Sequence, residues 1–441
     1  MTAAGQILKT GQTVQTMHGM NCRIDSFLGG GGQGEVYKVQ LGNQAMALKW
    51  YFHYAAVPEQ RTALETLIRT GAPNDRFLWP IELAHAKGVP GFGYLMALRE
   101  KHYCSIVDLM KRRTDPTFRA LISAGLELAD SFLQLHARGL CYRDISFGNI
   151  FFDPENGQVL ICDNDNVAVD GACQAGVLGT PRFMAPEIVR GEACPTTQTD
   201  LFSLAVLLFY MLTISHPLEG RKETDIHCFD LPAMNKIYGS EPLFIFDPHD
   251  TTNRPVSGIH DNALAYWPLY PQYIRDLFTR AFTLGLTDPL KGRVRESEWR
   301  AALAQLRDWI LYCPACGSEN FYDPEVLKKQ GQLALCWSCK TNIPLPYRLR
   351  IDRSVIMLNY DTKLYPHHLD PQRLYDFSAP LAEVVHHPTE AHLWGLKNLS
   401  AEKWVLISQD GVIKDIAPGR SVTLAGGQRI QFGAIEGEIR I

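Results

Sequence analysis

Between Thr117 and Arg138 the apolar residues recur at helical spacing. Phe118, Leu121, Ile122, Leu126, Leu128, Ala129, Phe132, Leu133 and Leu135 fall on one face, and Gly139 ends the run. Ahead of it the pattern is different. Val36, Tyr37 and Val39, then Met46-Ala47-Leu48-Lys49, read as strands, and Pro58 to Arg69 reads as a helix. The predicted course is strands with one helix to about Leu98, then mostly helices. Leu204 to Leu212 is apolar on all sides, which predicts a buried helix too short to span a bilayer. Residues 217–265, rich in Pro, Gly, Asn and Asp, predict an irregular surface insertion. Tyr266 to Leu286 and Glu296 to Leu311 predict the last helices. From about Ile351 short β segments alternate with turns: Ser354 to Leu358, Lys403 to Ile407 and Ser421 to Leu424.

Polar residues interrupt this frame at three informative points. Asp144 and Asn149 lie in Tyr142-Arg143-Asp144-Ile145-Ser146-Phe147-Gly148-Asn149, and Asp163 follows the apolar run Val159 to Cys162. In that order they suit magnesium-assisted phosphoryl transfer. One carboxylate orients a hydroxyl; the amide and the second carboxylate hold the metal. Upstream, Gly29, Gly31, Gly34 and Val36 spell G-x-G-x-x-G-x-V. Glycines there let the backbone approach a phosphate. A strand follows them, whereas a Rossmann loop opens a helix. Lys49, on the next strand, stands where an ammonium could reach the α- and β-phosphates. The plain alternative is a strand-edge surface lysine.

Together these pieces resemble the eukaryotic-like protein kinase family over roughly residues 20–310. Gly179-Thr180-Pro181-Arg182-Phe183-Met184-Ala185-Pro186-Glu187 is similar to its G-T-x-x-x-M-A-P-E, and Asp200 to Val206 resembles its central buried helix. Arg293 resembles the late arginine that pairs with the A-P-E glutamate, Glu187. The resemblance implies catalytic roles for Lys49, Asp144, Asn149 and Asp163, with magnesium on Asn149 and Asp163. It implies ATP among Leu28, Gly29, Gly31, Gly34, Val36, Ala47, Lys49, Met96 and Leu98, with Met96 as gatekeeper of a hinge at Met96-Ala97-Leu98. Glu65 on the 58–69 helix is the expected partner of Lys49, with Glu59 as the alternative.

The departures from the family pattern matter as much. Tyr142 replaces the histidine of His-Arg-Asp, and Ser146 stands where a lysine usually meets the γ-phosphate. That lysine's charge is lost where phosphoryl oxygens carry theirs. Asp163-Asn164-Asp165 replaces Asp-Phe-Gly. Asp165 reads as a solvated turn residue, with a metal ligand as the alternative. Thr180 is the only hydroxyl side chain between Asp163 and Glu187. In relatives this threonine bonds the catalytic aspartate, so Arg143 has no spare hydroxyl upstream to pair with once phosphorylated. Activity is therefore expected not to need phosphorylation of this segment.

Cys313, Cys316, Cys336 and Cys339 give C-x2-C-x19-C-x2-C, a spacing that predicts a structural zinc ribbon with no open ligand position. The other seven cysteines lack metal spacing and are expected to be reduced. Lys328, Lys329, Lys340, Arg348, Arg350 and Arg353 surround the ribbon. Without a dense basic run or interleaved aromatics they read as a solvated face, not a nucleic-acid surface. Trp394 to Ser400, Pro418-Gly419-Arg420 and Ile430 to Gly433 resemble the later half of a forkhead-associated domain. The Gly-Arg and Ser-x-x-His that bind phosphothreonine in that family are missing at the matching place. An OB-like barrel is the alternative fold. His386, His387 and His392 read as surface residues, with metal binding as the alternative. The order of modules also resembles bacterial kinases of tellurite-resistance and stress systems, whose partners include a von Willebrand A protein and a metal-dependent protein phosphatase.

Composition fits this picture. The chain has 441 residues, is 46% hydrophobic and carries a formal net charge of −4, so no global field draws it to nucleic acid or an anionic membrane. The start shows no basic segment followed by an apolar core, and a cytoplasmic location is expected. The expected fold class is α+β: a bilobal kinase-like domain at 1–311 (N-lobe to about 98, C-lobe 99–311), a zinc ribbon at 312–349 and a small β-sandwich at 350–441. The expected function is transfer of phosphate from ATP to protein Ser/Thr hydroxyls in signalling. The alternatives are a nucleotide-binding pseudokinase scaffold and a small-molecule kinase.

Overall fold

Alternating burial ahead of Leu98 produces six antiparallel strands: β1 (Thr13–Thr16), β2 (Asn21–Gly30), β3 (Gly34–Leu41), β4 (Gln44–Tyr51), β5 (Glu82–Ala86) and β6 (Val89–Ala97). They close in the order β1-β2-β3-β4-β6-β5. The computed structural model describes residues 6–172, 179–387, 389–390 and 393–441. Along β4 the period of two divides the side chains. Met46, Leu48 and Trp50 enter one core with Val14, Ile24, Tyr37, Val39 and Leu95. Ala47 and Tyr51 enter a second core with Tyr94, Met96 and Leu64 of helix α1 (Pro58–Thr70). Lys49 shares that second face, directly opposite Tyr94 in the β4–β6 ladder.

The strand β7 (Cys104–Ser105) and helix α2 (Ile106–Met110) open the helical half. The predicted long helix is α3 (Phe118–Ala137); Thr117 caps it, its hydroxyl accepting from Ala120 N at 3.1 Å. The short strands β8 (Leu140–Cys141), β9 (Ile150–Phe152), β10 (Val159–Ile161) and β11 (Ala168–Val169) carry the loops that hold the candidate chemistry. Helix α4 (Pro186–Val189) precedes α5 (Thr197–Thr213), which is buried on every face from Thr199 on, as its unbroken apolar run predicts.

Three local expectations are corrected. Tyr266 to Leu286 is not one helix: Pro268 sits in a 3-10 turn, Trp267–Leu269, and Pro271 immediately precedes a new helix, Gln272–Ala281. Proline lacks the amide hydrogen and cannot continue the helical ladder. Glu296 to Leu311 ends at Asp308, because Ile310–Tyr312 turns extended as strand β12. Residues 217–265 are not only a surface insertion, since Ile237, Tyr238, Phe244 and Ile245 are core side chains.

The chain divides into two compact units. One takes everything up to Ala265 with Asp276–Arg300; the other takes Tyr266–Arg275 with Ala301–Ile441. In the second, β12 pairs with β13 (Glu319–Phe321) beside the four cysteines. A core of Trp309, Leu311, Tyr322, Ile343 and Met357 supports them. The remaining strands are β14 (Arg348–Ile351), β15 (Ser354–Met357), β16 (Lys363–Leu364), β17 (Ala382–His386), β18 (Trp394–Asn398), β19 (Trp404–Ile407), β20 (Ile413–Ile416), β21 (Ser421–Thr423), β22 (Arg429–Gln431) and β23 (Glu436–Arg440). They form a six-stranded sheet, β15-β14-β23-β22-β19-β20, and a four-stranded sheet, β16-β17-β18-β21. Both sheets contribute to one core that includes Leu349, Ile356, Leu396, Trp404, Ile430 and Ile439.

Candidate active site

The loop between β8 and β9 is held from below by α5. Asp200 accepts the backbone N–H of Tyr142 and, at 2.9 Å, that of Arg143, which is left-handed at φ 73°. Phe147 packs edge-on against Phe183 and Tyr210 at 4.7 and 4.6 Å between centroids, which ties the loop to the segment after Thr180. Fixed in this way, Asp144 and Asn149 meet. Asn149 Nδ2 donates to Asp144 O at 2.8 Å and to Asp144 Oδ2 at 3.0 Å. Thr180 Oγ1 donates to the other carboxylate oxygen, Oδ1, at 2.9 Å.

Asp163, two residues beyond β10, is left-handed at φ 48° and precedes a single 3-10 turn over Asn164–Asn166. Aspartate tolerates this conformation better than most residues. The turn points its two carboxylates in different directions. The Asp163 side chain is 41% exposed, whereas that of Asp165 is 0% exposed. Lys49 Nζ lies between them, 3.5 Å from Asp163 Oδ1 and 2.9 Å from Asp165 Oδ2. Burial disfavours the charged lysine, but Asp165 and then Asp163 outweigh it and raise its pKa.

The reading of Asp165 as a solvated turn residue is therefore corrected. Its carboxylate is fully enclosed and accepts from Tyr94 Oη at 3.0 Å and from Tyr51 Oη. The expectation for Glu65 is corrected as well. Glu65 is exposed and pairs with Arg61 at 3.0 Å one helical turn away, because α1 turns Leu64 and Leu67 inward. Glu59, the alternative, is also exposed. The residue of α1 that reaches this site is Gln60, whose Nε2 donates to Tyr51 Oη at 3.1 Å and to Asp165 O at 3.3 Å.

Of the glycines, Gly34 is demanded by packing: a Cβ there would meet Trp50 O at 2.2 Å. Gly29 and Gly31 face open space, so the fold alone does not require them. Gln33 at the tip of this loop lies 3.5 Å from Lys49 Nζ through Oε1 and 3.4 Å from Asn166 Oδ1 through Nε2. Nothing in the residue pattern singled it out. Val36, Ala47, Met96 and Leu98 gather in one apolar cluster with Leu160. Leu28 is an exposed residue of β2.

The departures have local partners. Tyr142 is buried, and its hydroxyl donates to Cys162 O. Asn164 is buried, and its side-chain amide donates a hydrogen bond to Ile161 O at 2.8 Å. Arg143 Nε donates to Asn166 O. Among the described residues no cation pairs with Asp144. Arg293 meets Glu187 through two contacts of 2.6 and 2.7 Å. Arg182 is held by Glu219 at 2.8 Å and by Tyr238 at 3.2 Å, a network the sequence did not announce.

In the other unit the four cysteines converge. Cys313 and Cys339 sulfurs are 3.5 Å apart, those of Cys316 and Cys336 3.7 Å. All four lie within 4.8 Å of one another. A tetrahedral ion with Zn–S bonds of about 2.3 Å needs sulfur separations of about 3.8 Å, so the donor set fits zinc. A contact with the Ser318 hydroxyl holds the Cys316 thiol down at about 6, while burial pushes the neighbouring Cys313 thiol up to about 11. A second cluster, Asp308 with His367 and His368, does not fit a metal. Both imidazoles accept backbone N–H groups at Nδ1, from Tyr375 at 2.9 Å and Tyr365 at 2.8 Å. Their protons therefore sit on Nε2, and His368 Nε2 meets Asp308 at 3.2 Å. His386 packs against Trp394 with tilted rings, His387 contacts Thr389, and His392 lies outside the described residues. Cys194 is disulfide-bonded, against the expectation that every cysteine outside the ribbon is reduced; Cys22, Cys104, Cys141, Cys162 and Cys228 are free, and Cys173 lies outside the described residues.

The family model described as "Protein kinase domain" matches residues 94–268. Among curated proteins, the chain is 31% identical over 118 residues to a probable serine/threonine-protein kinase CCRP1 of Zea mays, covering 26% of this chain and 19% of the relative. It is 30% identical over 130 residues to the cell cycle serine/threonine-protein kinase CDC5/MSD2 of Saccharomyces cerevisiae, covering 28% and 18%. It is 31% identical over 112 residues to the serine/threonine-protein kinase PknK of Mycobacterium bovis, covering 25% and 10%. The matched stretch is thus only 19% and 18% of the length of the first two relatives. Among the described residues no helix is long and apolar enough to cross a membrane.

Proposed function

We propose that this chain is an ATP- and magnesium-dependent protein serine/threonine kinase whose C-terminal modules bind partners. The observation that carries the reading is two pairs, Lys49 with Asp163 and Asn149 with Asp144, whose segments are tied by the backbone bond from Cys162 N to Asn149 O at 2.8 Å. Asn149 spends its Nδ2 on Asp144, which leaves Oδ1 for a hard cation, and the half-exposed Asp163 supplies the second oxygen. Magnesium, if held there, would neutralise phosphoryl charge. Lys49 binds the α- and β-phosphates, Leu28, Gly29, Gly31, Gly34 and Val36 cover the nucleotide, and Ala47, Met96 and Leu98 meet the adenine. Asp144 orients the acceptor hydroxyl and takes its proton. The Thr180–Asp144 bond and the Glu187–Arg293 pair support a platform for a peptide over a small-molecule acceptor.

That no cation pairs with Asp144 among the described residues favours a second reading, a scaffold that binds nucleotide without transfer. Incubation with γ-labelled Mg-ATP and a protein mixture, followed by phosphoamino acid analysis, separates the readings. Phosphoserine or phosphothreonine supports the first. Nucleotide binding without label supports the scaffold, and label on small hydroxyl compounds alone supports a small-molecule kinase.

For the remainder of the chain the proposal keeps three modules, 1–311, 312–349 and 350–441, with zinc on Cys313, Cys316, Cys336 and Cys339. The two sheets around one core support a sandwich over an OB-like barrel, and the forkhead-associated likeness is retained for it without a phosphopeptide site. A cytoplasmic setting, a bacterial stress system, and partners of the von Willebrand A and metal-dependent phosphatase classes belong to the same proposal.

A further inference from the structure

Lys49 needs a fixed counter-charge if its ammonium is to wait at one place for the phosphates. Helix α1 does not supply it: Glu59 and Glu65 are exposed, and Glu65 pairs with Arg61. The sheet and the turn after β10 supply it instead. Lys49 and Tyr51 lie two residues apart on β4 and so share a face, and Tyr94 of β6 stands opposite Lys49. All three side chains aim at the carboxylate of Asp165. Lys49 Nζ is 2.9 Å from Oδ2 and 3.0 Å from Oδ1, Tyr94 Oη is 3.0 Å from Oδ1, and Tyr51 Oη donates to Oδ2. A carboxylate with no exposed surface has its lone pairs met and its charge matched.

We infer that Asp165 is the positioning residue for Lys49, replacing a helix-borne glutamate with a carboxylate from the segment that also carries Asp163. This rests on the kinase reading and deepens it. Its consequence is that, among the described residues, α1 hydrogen-bonds to the cluster through the neutral amide of Gln60, beside the apolar packing of Leu64 on Tyr51 and Tyr94. Movement of α1 breaks hydrogen bonds but no ion pair, so Lys49 stays in place when α1 shifts.

The test is binding and transfer by the full chain. Asp165→Asn is expected to weaken Mg-ATP by roughly tenfold or more while leaving adenosine, which lacks phosphates, within about twofold. Tyr94→Phe, which keeps both charges, is expected to weaken Mg-ATP by about threefold in the same selective way. Glu59→Ala and Glu65→Ala are expected to leave both ligands unchanged. Equal loss for ATP and adenosine, or no loss, overturns the inference, as does a selective loss in Glu59→Ala or Glu65→Ala. If Asp165→Asn does not fold, Tyr94→Phe decides alone. Lys49→Met separates this inference from the underlying reading. If it too leaves Mg-ATP binding and transfer intact, the kinase reading fails; if it abolishes them while Asp165→Asn and Tyr94→Phe do not, only the role of Asp165 fails.

Discussion

Thr180 Oγ1 donates to Asp144 Oδ1 at 2.9 Å, so the one hydroxyl of the segment between Asp163 and Glu187 is engaged with the candidate base. Arg143 is engaged as well, donating to Asn166 O. Active protein is therefore expected to carry no phosphate on this segment, as intact-mass analysis and peptide mapping will show. Thr180→Ala should lower transfer by about tenfold and Thr180→Ser should restore most of it. Activity that rises with phosphate on Thr180 contradicts this.

His136 gives a pH signature. Its ring bonds to Asp200 at 3.1 Å and to Glu296, within one unit of the fold. Burial alone would lower its pKa, but hydrogen bonds donated by the ring to the carboxylates of Asp200 and Glu296 raise it from 6.5 to about 9. A raised folded pKa means that the stabilisation is fully present below 6.5 and is lost as pH rises to about 9. Its full size is on the order of 3 kcal/mol. Thermal unfolding of wild type and His136→Gln should differ most near pH 6 and converge above about pH 9. A constant gap across that range is the contrary result.

The Glu187–Arg293 pair makes a stability prediction. The Arg293 side chain is 1% exposed and also donates to Gln198 O at 2.7 Å. Arg293→Ala strands Glu187 without its partner and should cost about 3 kcal/mol in denaturant unfolding. Arg293→Lys should recover only part, because a point charge cannot reproduce the fork.

The four-cysteine cluster predicts about one zinc per chain by elemental analysis. Cys336→Ser should remove it, and chelation should loosen the core of Trp309, Leu311 and Tyr322 without changing the affinity for adenosine.

Some of this was legible in the residues because it depends on local order. The strings around Asp144, Asn149 and Asp163 each form on one loop, Glu187 opens the short helix α4, and the long helix is announced by its own periodicity. The four cysteines carry their spacing with them. What escaped depends on side chains brought together from distant segments. Asp165 looked solvated because its enclosure comes from Tyr51 and Tyr94 on two strands. The poor fit of Glu65 and Glu59, beside an extra carboxylate after Asp163, was the available signal. Arg182 meets Glu219 and Tyr238 across the same kind of distance, and Gln33 reaches Lys49 only once the glycine loop folds over β4. The broken helix after Tyr266 was written in Pro268 and Pro271 but masked by an apolar rhythm that continued through them.

The central claim is that Asp144 and Asp163 serve one phosphoryl transfer. The most direct measurement is single-turnover transfer from γ-labelled Mg-ATP to protein hydroxyls by wild type, Asp144→Asn and Asp163→Asn, with nucleotide affinity measured in parallel. The account predicts a loss of roughly 100-fold or more in transfer for each variant. Nucleotide affinity should hold in Asp144→Asn, and the magnesium dependence of binding should weaken in Asp163→Asn. Transfer by either variant at the wild-type rate would contradict it.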